Sequence, residues 1–535
     1  MEVRLDCLPN DIAELKQVIA SQQAIIEDKE QTITRNQAVI TCLEEKLRLL
    51  QQQRFGRRSE KYPGQQELQL FNEAELLQAQ PEPEAESADT ITVPAHTRKR
   101  KKPRVLAPDL PRCEVIYDLP EADKQCTRCG KTLSHIDNEE LEQLAVIPQQ
   151  YYVIVHVKKK YACSCKGCIR TAGMPAQPLP ASQASPQLLA HIMVSKYHDG
   201  LPLPRQEKMA LREGLELSRA KLARWLISVA ALFQPIWNLL QDTLFSYDIA
   251  QSDETGIQVL KEHGRRPENK SYLWIRRGGP PDRPVVLVDY SPSRSGETAH
   301  GLLEEFRGYL VCDAYEGYSP TIRTNGLLPV FCNDHARRKF VDVMKSLTKD
   351  SRHPERAKDW IANQAIERYK PLYRIEREIK ELSVQAKYEA RQARAVPLWD
   401  AFIEWAEKMQ AEGVAHQGTR EALNYLITHA EGLRRYCDDG RLPISNILAE
   451  HTAKTIAVAR TNFLFADTPA GAESSARIYS LLETAKANGH HTQRYLSVLL
   501  TELPNAACVE DIESLLPWNI TPEEISRRYA TYPAP

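Results

Sequence analysis

The 535-residue chain is too long for one hydrophobic core; at roughly 100 to 200 residues per domain it predicts about three or four. Its 70 basic and 71 acidic residues nearly cancel, which excludes a global positive field, so any affinity for nucleic acid must come from local patches. No apolar run approaches a membrane span and the opening MEVRLDC lacks a signal-peptide pattern, so a cytoplasmic protein with no membrane partner is expected.

Residues 11–53 carry Ile12, Ile19, Ile26, Ile33, Ile40 and Leu47 at an unbroken spacing of seven, with almost no Gly or Pro. That is a coiled-coil seam and predicts a homo-oligomer; a lone amphipathic helix is its rival. The companion positions Leu15, Gln22, Lys29, Asn36, Leu43 and Leu50 are polar in the middle, which fixes register at some cost in stability. Over 72–112 the composition turns to Glu, Pro, Ala and Ser and ends in the basic run from Arg98 to Arg104, reading as a disordered linker with a basic arm.

Within a candidate zinc-binding module over 113–175, five of the twelve cysteines crowd between Cys126 and Cys168. Cys126 and Cys129, three apart and followed by Gly, can take adjacent corners of a zinc tetrahedron, while Cys163, Cys165 and Cys168 offer three sulfurs for the other two corners. The alternation from Tyr152 to Lys158 reads as a strand leading into the second group. The remaining cysteines, Cys332 among them, read as ordinary thiols.

Residues 183–240 are helical in pattern, with a turn at Gly214 and Ser218 capping a second helix, which matches a helix-turn-helix DNA-binding domain. Leu222, Trp225 and Leu226 then face inward, and Arg219, Lys221 and Arg224 face DNA.

After Leu244 short β-rich runs alternate with helical ones, which predicts an α/β domain over 245–500 on a mixed sheet, with a helical insertion at about 340–437 and a C-terminal segment over 501–535. Asp253 and Asp313 are read at the C-terminal ends of two strands, where paired carboxylates could hold a divalent metal. The whole is a multidomain α+β chain.

From Arg54 to Trp518 the blocks RFGRRSEKY, SKYHDGLPLPRQEKMALREG, DYSPSRSGE, DAYEGY, HARRKF, DDGRL, NFLF, YSLLETAKANG and LLPWN follow one another in an order that resembles the transposases of insertion-sequence family 66. The resemblance implies a ribonuclease-H-like catalytic domain that cuts transposon ends and joins them to target DNA, with Asp253, Asp313 and Glu450 as catalytic ligands of Mg2+ or Mn2+. It implies terminal inverted repeats and target DNA as partners, with accessory proteins of the same element as further candidates. Ser445 and His451 replace the family's Asp and Arg beside Glu450, which leaves open an alternative: a DNA-binding regulator whose nuclease has weakened. Asp334 stands in Cys332-Asn333-Asp334-His335 where the family has Ala; it reads as a helix cap rather than a ligand. Arg337, Arg338 and Lys339 follow as candidate phosphate contacts.

Overall fold

The structure, a computed structural model, describes residues 149–162, 164, 168–350 and 360–533, together with isolated positions nearer the N terminus. The heptad segment lies outside the described residues except for Lys16, Gln23 and Lys29, each helical, and the linker with its basic arm lies outside them entirely.

Strands β1 (Lys160–Ala162) and β2 (Ile169–Thr171) pair antiparallel, with Tyr161 opposite Arg170; Cys168 directly precedes β2, and Cys163 and Cys165 lie outside the described residues. The strand read upstream at Tyr152–Lys158 is not formed. Residues 149–159 have no ladder partner among the described residues, and Val153, Val155 and Val157 are 85%, 75% and 77% exposed. Alternation makes a strand only where a neighbour accepts its hydrogen bonds.

Helices α1 (Pro186–Tyr197), α2 (Leu203–Arg212), α3 (Arg219–Leu232) and α4 (Gln234–Phe245) follow. The link from α2 to α3 passes through Gly214 at φ +78, which a residue with a Cβ would adopt only under strain. Ser218 caps α3 by accepting the Lys221 N–H, and Leu222, Trp225 and Leu226 are buried as the pattern demanded.

Five strands then build the main sheet: β3 (Ile249–Val259), β4 (Lys270–Gly278), β5 (Val285–Ser291), β6 (Tyr309–Cys312) and β7 (Leu328–Phe331). Their spatial order is β5-β4-β3-β6-β7; the first three are antiparallel, while β6 runs parallel to β3 and β7 parallel to β6. The parallel steps require crossovers, and helix α5 (Gly296–Leu303) and the short helix Ser319–Asn325 supply them. Gly308, at φ +115, brings β6 alongside β3; a Cβ there would lie 2.3 Å from the Asp248 carbonyl oxygen.

Between β7 and Glu450 the described chain is mostly helical. Helices α6 (Asn333–Asp350), α7 (Ile361–Glu378), α8 (Val396–Ala411) and α9 (Gln417–Thr428) enclose their own core of Phe340, Tyr369, Trp399, Phe402 and Leu426, which meets the sheet at Val311 and Val330. Asn333 ties the start of this excursion to its end: Nδ2 donates to the Leu433 carbonyl at 2.9 Å and to the Ile444 carbonyl at 3.1 Å.

Helix α10 (Ile447–Phe463) then lies against β3, and the two-residue strand β8 (Phe465–Ala466), not foreseen, extends the sheet beside the end of β3. Helix α11 (Pro469–Ala487) covers the outer edge of β5. Its Ser480 and Thr484 hydroxyls each bond both an N–H and a carbonyl of that strand, at Val288 and Val286, with distances between 2.8 and 3.2 Å. Side chains thus satisfy an edge that would otherwise offer bare backbone groups. Among the described residues no helix is long and apolar enough to cross a membrane.

Candidate active site

Asp253 lies in the middle of β3, opposite Ile275 of β4, and not at a strand end as the sequence suggested. The strand runs on through Glu254, Thr255 and Gly256 because β4 pairs with it as far as Gln258, so cross-strand bonding overrides the weak strand preference of the two acids. The Asp253 Oδ1 accepts the Glu254 N–H at 2.9 Å. Asp313 follows directly on β6, whose register sets Val311 beside Gln251, and its Oδ1 accepts the Tyr315 N–H at 3.3 Å.

Glu450 stands in the first turn of α10 and is 4% exposed. Two bonds hold that turn onto β3. Asn446 Nδ2 donates to the Ser252 carbonyl at 2.8 Å, and the Ala449 N–H reaches Gln251 Oε1 at 3.3 Å. On its other side Glu450 meets the start of α6: the Cys332 thiol donates to Oε1 at 3.3 Å, and His335 Nδ1 lies 3.3 Å from the same oxygen. Cys332 is therefore no ordinary core thiol, a correction that spacing alone could not supply.

Asp334 sits in the first turn of α6, where its charge complements the helix N-terminus, and accepts the Tyr373 hydroxyl at 2.5 Å. A fourth acid, Glu254, went unremarked in the sequence. It is buried against the Arg294 guanidinium and accepts the Tyr318 hydroxyl at 2.9 Å. Arg294 also lies 3.9 Å from Asp313 and stacks 3.9 Å from the Tyr315 ring centre. Its place in the block DYSPSRSGE was the one signal that could have found it.

The acids feel one another. Burial raises the Asp253 carboxyl well above its usual range, and the charges of Glu254, Glu450 and Asp313 raise it further. Burial raises Glu450 to about 7, with Asp334 adding to the effect and Arg338 opposing it. Asp313 is raised by burial against the opposing pull of Arg294 and Lys339, and Glu254 is raised by burial and Asp313. His335 moves the other way, to about 4, because burial and then Arg338 and Lys339 disfavour its cation.

Arg338 and Lys339 therefore border this cluster from α6, Lys339 lies 4.4 Å over the Tyr425 ring, and the charge of Arg337 is felt at Tyr369 of the helical excursion instead. Arg219 and Arg224 of α3 are exposed elsewhere; Lys221 donates to Gln183 at 2.7 Å and covers Trp225. Of the proposed zinc ligands only Cys168 is described, and it is exposed. Among the described residues, the set of three metal-capable side chains whose ligand atoms all lie within 4.8 Å of one another is Cys332, His335 and Glu450; Asp253 and Asp313, whose charges interact with Glu450, are not part of it.

A mixed sheet with acids from its central strands and from a helix packed across it defines a class of α/β protein built to gather carboxylates. Residues 181–474 match the family described as "Transposase IS66 family", 480–518 the "IS66 C-terminal element", 123–166 the "zinc-finger binding domain of transposase IS66", and 42–115 "Transposase C of IS166 homeodomain". The chain belongs to the IS66 transposase family. It is similar to the uncharacterized protein y4jD of Sinorhizobium fredii (strain NBRC 101917 / NGR234), with 31% identity over 78% of this chain and 82% of that one. It is also similar to the uncharacterized protein y4hP of the same strain, with 29% identity over 90% and 88%.

Proposed function

We propose that this chain is a DNA transposase that cuts transposon ends and joins them to target DNA with divalent metal held by Asp253, Asp313 and Glu450. One observation carries the reading: three carboxylates far apart in sequence, on β3, after β6 and on α10, meet at one place on the sheet, where the charges of Glu450 and Asp313 both raise the proton affinity of Asp253 and that of Asp313 raises Glu450. An all-oxygen donor set suits Mg2+ or Mn2+, and buried acids that repel one another call for a cation. The sheet order, three antiparallel strands followed by two parallel ones, supports a ribonuclease-H-like fold.

Bound there, the metal would supply a nucleophilic water or hydroxyl and stabilise the leaving oxygen of an in-line displacement. The chain's own work is to hold the three acids. Asn446 fixes the turn of Glu450 to the strand of Asp253, and Arg294 balances Glu254 so that its charge adds less to the cluster. Arg338 and Lys339, beside the acids, and Arg337 on the same helix would serve as phosphate contacts. Ser445 is buried and His451 exposed, and with Asn446 still bonded to β3 the departures from the family leave Glu450 in place, which favours an enzyme over a weakened regulator.

Glu450→Gln, Asp253→Asn and Asp313→Asn should each abolish magnesium-dependent nicking of a DNA carrying the element's terminal repeats, while binding to that DNA persists. Asp334→Asn should retain much activity. The reverse ranking of Glu450→Gln and Asp334→Asn would show that the third ligand lies elsewhere.

The zinc module rests on Cys126, Cys129 and two of Cys163, Cys165 and Cys168; the matched zinc-finger segment spans all but Cys168, and the β1–β2 pair brackets the second group. Purified protein free of zinc would end that reading. The N-terminal heptads would pair protomers for two-ended synapsis, and a deletion of 11–50 that leaves the mass in solution unchanged would remove it. The α3 residues Arg219, Lys221 and Arg224 would contact the ends.

A further inference from the structure

We infer that Cys332, His335 and Glu450 form a second metal site, for zinc or a cation of similar softness, distinct in chemistry from the oxygen-lined cluster beside it. Nothing in the family likeness calls for it; the placement of three side chains does.

The geometry is that of a site with one open corner. Zinc bonds of about 2.0 to 2.3 Å to nitrogen, oxygen and sulfur in a tetrahedron set the ligand-to-ligand edges at roughly 3.3 to 3.7 Å. Two of the edges here, sulfur to carboxylate and imidazole to carboxylate, are 3.3 Å, and all three atoms lie within 4.8 Å of one another. Small side-chain shifts would complete the fit.

The donors are also prepared. Cys332 and His335 are three residues apart at the start of α6, so they rise on one side of the helix. The buried sulfur receives the Asn446 N–H at 3.3 Å, a bond that lowers the cost of a thiolate, although burial and the charge of Glu450 still hold the thiol well above its usual range. His335 Nδ1 is enclosed and makes no hydrogen bond of acceptable geometry, which leaves its lone pair for a metal. A sulfur and an imidazole nitrogen are poor ligands for magnesium and good ones for zinc, so the two sites select different ions even though Glu450 belongs to both.

An ion here would engage Glu450 through Oε1 and fix its rotamer, leaving the second oxygen for the Asp253 side. That consequence, though not the site itself, rests on reading Glu450 as a catalytic ligand. The site would then act on the reaction by holding a ligand still.

The test is a metal count on the full-length protein equilibrated with buffered micromolar zinc and freed of loose ions. The parent should hold one equivalent more than Cys332→Ser and one more than His335→Gln, while Asp253→Asn matches the parent. His335→Gln keeps the test sound should Cys332→Ser fold poorly. Cobalt-loaded parent should also show a thiolate-to-metal charge-transfer band that exceeds that of Cys332→Ser. Equal metal content and equal spectra in parent and both variants would overturn the site, as would loss of the extra zinc in Asp253→Asn, which would put the ion among the acids. Failure of the catalytic reading looks different: Asp253→Asn would go on cutting DNA with its zinc count unchanged.

Discussion

Asn446 reaches from the cap of one helix to the backbone carbonyl of Ser252 at 2.8 Å, and so couples the position of Glu450 to the strand that carries Asp253. Its backbone N–H meanwhile meets Cys332. Asn446→Ala should leave the Ser252 carbonyl without its partner, at a cost of about 1 to 3 kcal/mol in stability. Nicking should fall further than stability implies, about 100-fold, because a misplacement of the third ligand near 1 Å is enough. A kinetic comparison at saturating magnesium checks this; activity within twofold of the parent would show that the bond does not set the site.

Glu450 gives a pH signature to the metal-free protein. Its folded pKa of about 7 lies above the usual value of 4.5, so the folded state holds the proton more tightly than the unfolded chain. Its contribution is present at pH 4 and is lost as pH rises towards 7, after which the folded state carries an unfavourable buried charge. Metal-free Glu450→Gln should therefore match the parent near pH 4.5 and exceed it at pH 8, by on the order of 2 to 3 kcal/mol. Thermal melts at both pH values in chelator decide it; a variant less stable than the parent at pH 8 would refute the buried-charge account.

Arg294 is the cation for Glu254, an acid almost wholly withdrawn from water. Arg294→Ala should destabilise the fold by about 3 to 5 kcal/mol, since it strands a buried carboxylate. Adding Glu254→Gln should return a large part of that loss, because the second change removes the stranded charge. Urea midpoints for the two single variants and the double variant give the coupling; additive losses would mean that the pair does not interact.

Ser480 and Thr484 stand in for a missing strand along β5. Ser480→Ala and Thr484→Val should each cost about 1 to 3 kcal/mol, as buried backbone groups lose their partners. Amide exchange should rise first at Val286 and Val288. Unchanged protection there would mean that other groups satisfy the edge.

The strands of the sheet were legible because their apolar runs are short, β-branched and bounded by turns, as in Val285–Val288. The α2–Gly214–α3 segment was legible because a cap and a glycine mark its turn. The site was legible only in part. Asp253 and Asp313 were read from the ends of β-rich runs and Glu450 from the order of family blocks, whereas the contacts of Cys332 with Glu450 and of Arg294 with Glu254 join segments that no periodicity links. Tyr152–Lys158 misled for the opposite reason, since alternation reports what a segment could bury and not whether a partner is there.

Asn333 bonds the chain where it leaves the sheet and again where it returns, so the helical excursion between Asp313 and Glu450 departs from and comes back to one point. Sequence distance between the second and third acids is thereby uncoupled from their distance in space. A module stitched in at neighbouring ends can grow, shrink or be exchanged with little consequence for what lies on either side. Length can therefore vary in the part of the excursion that lies away from Cys332, His335, Arg338 and Lys339, and it is there that a reporter or a tether could be grafted without disturbing the acids.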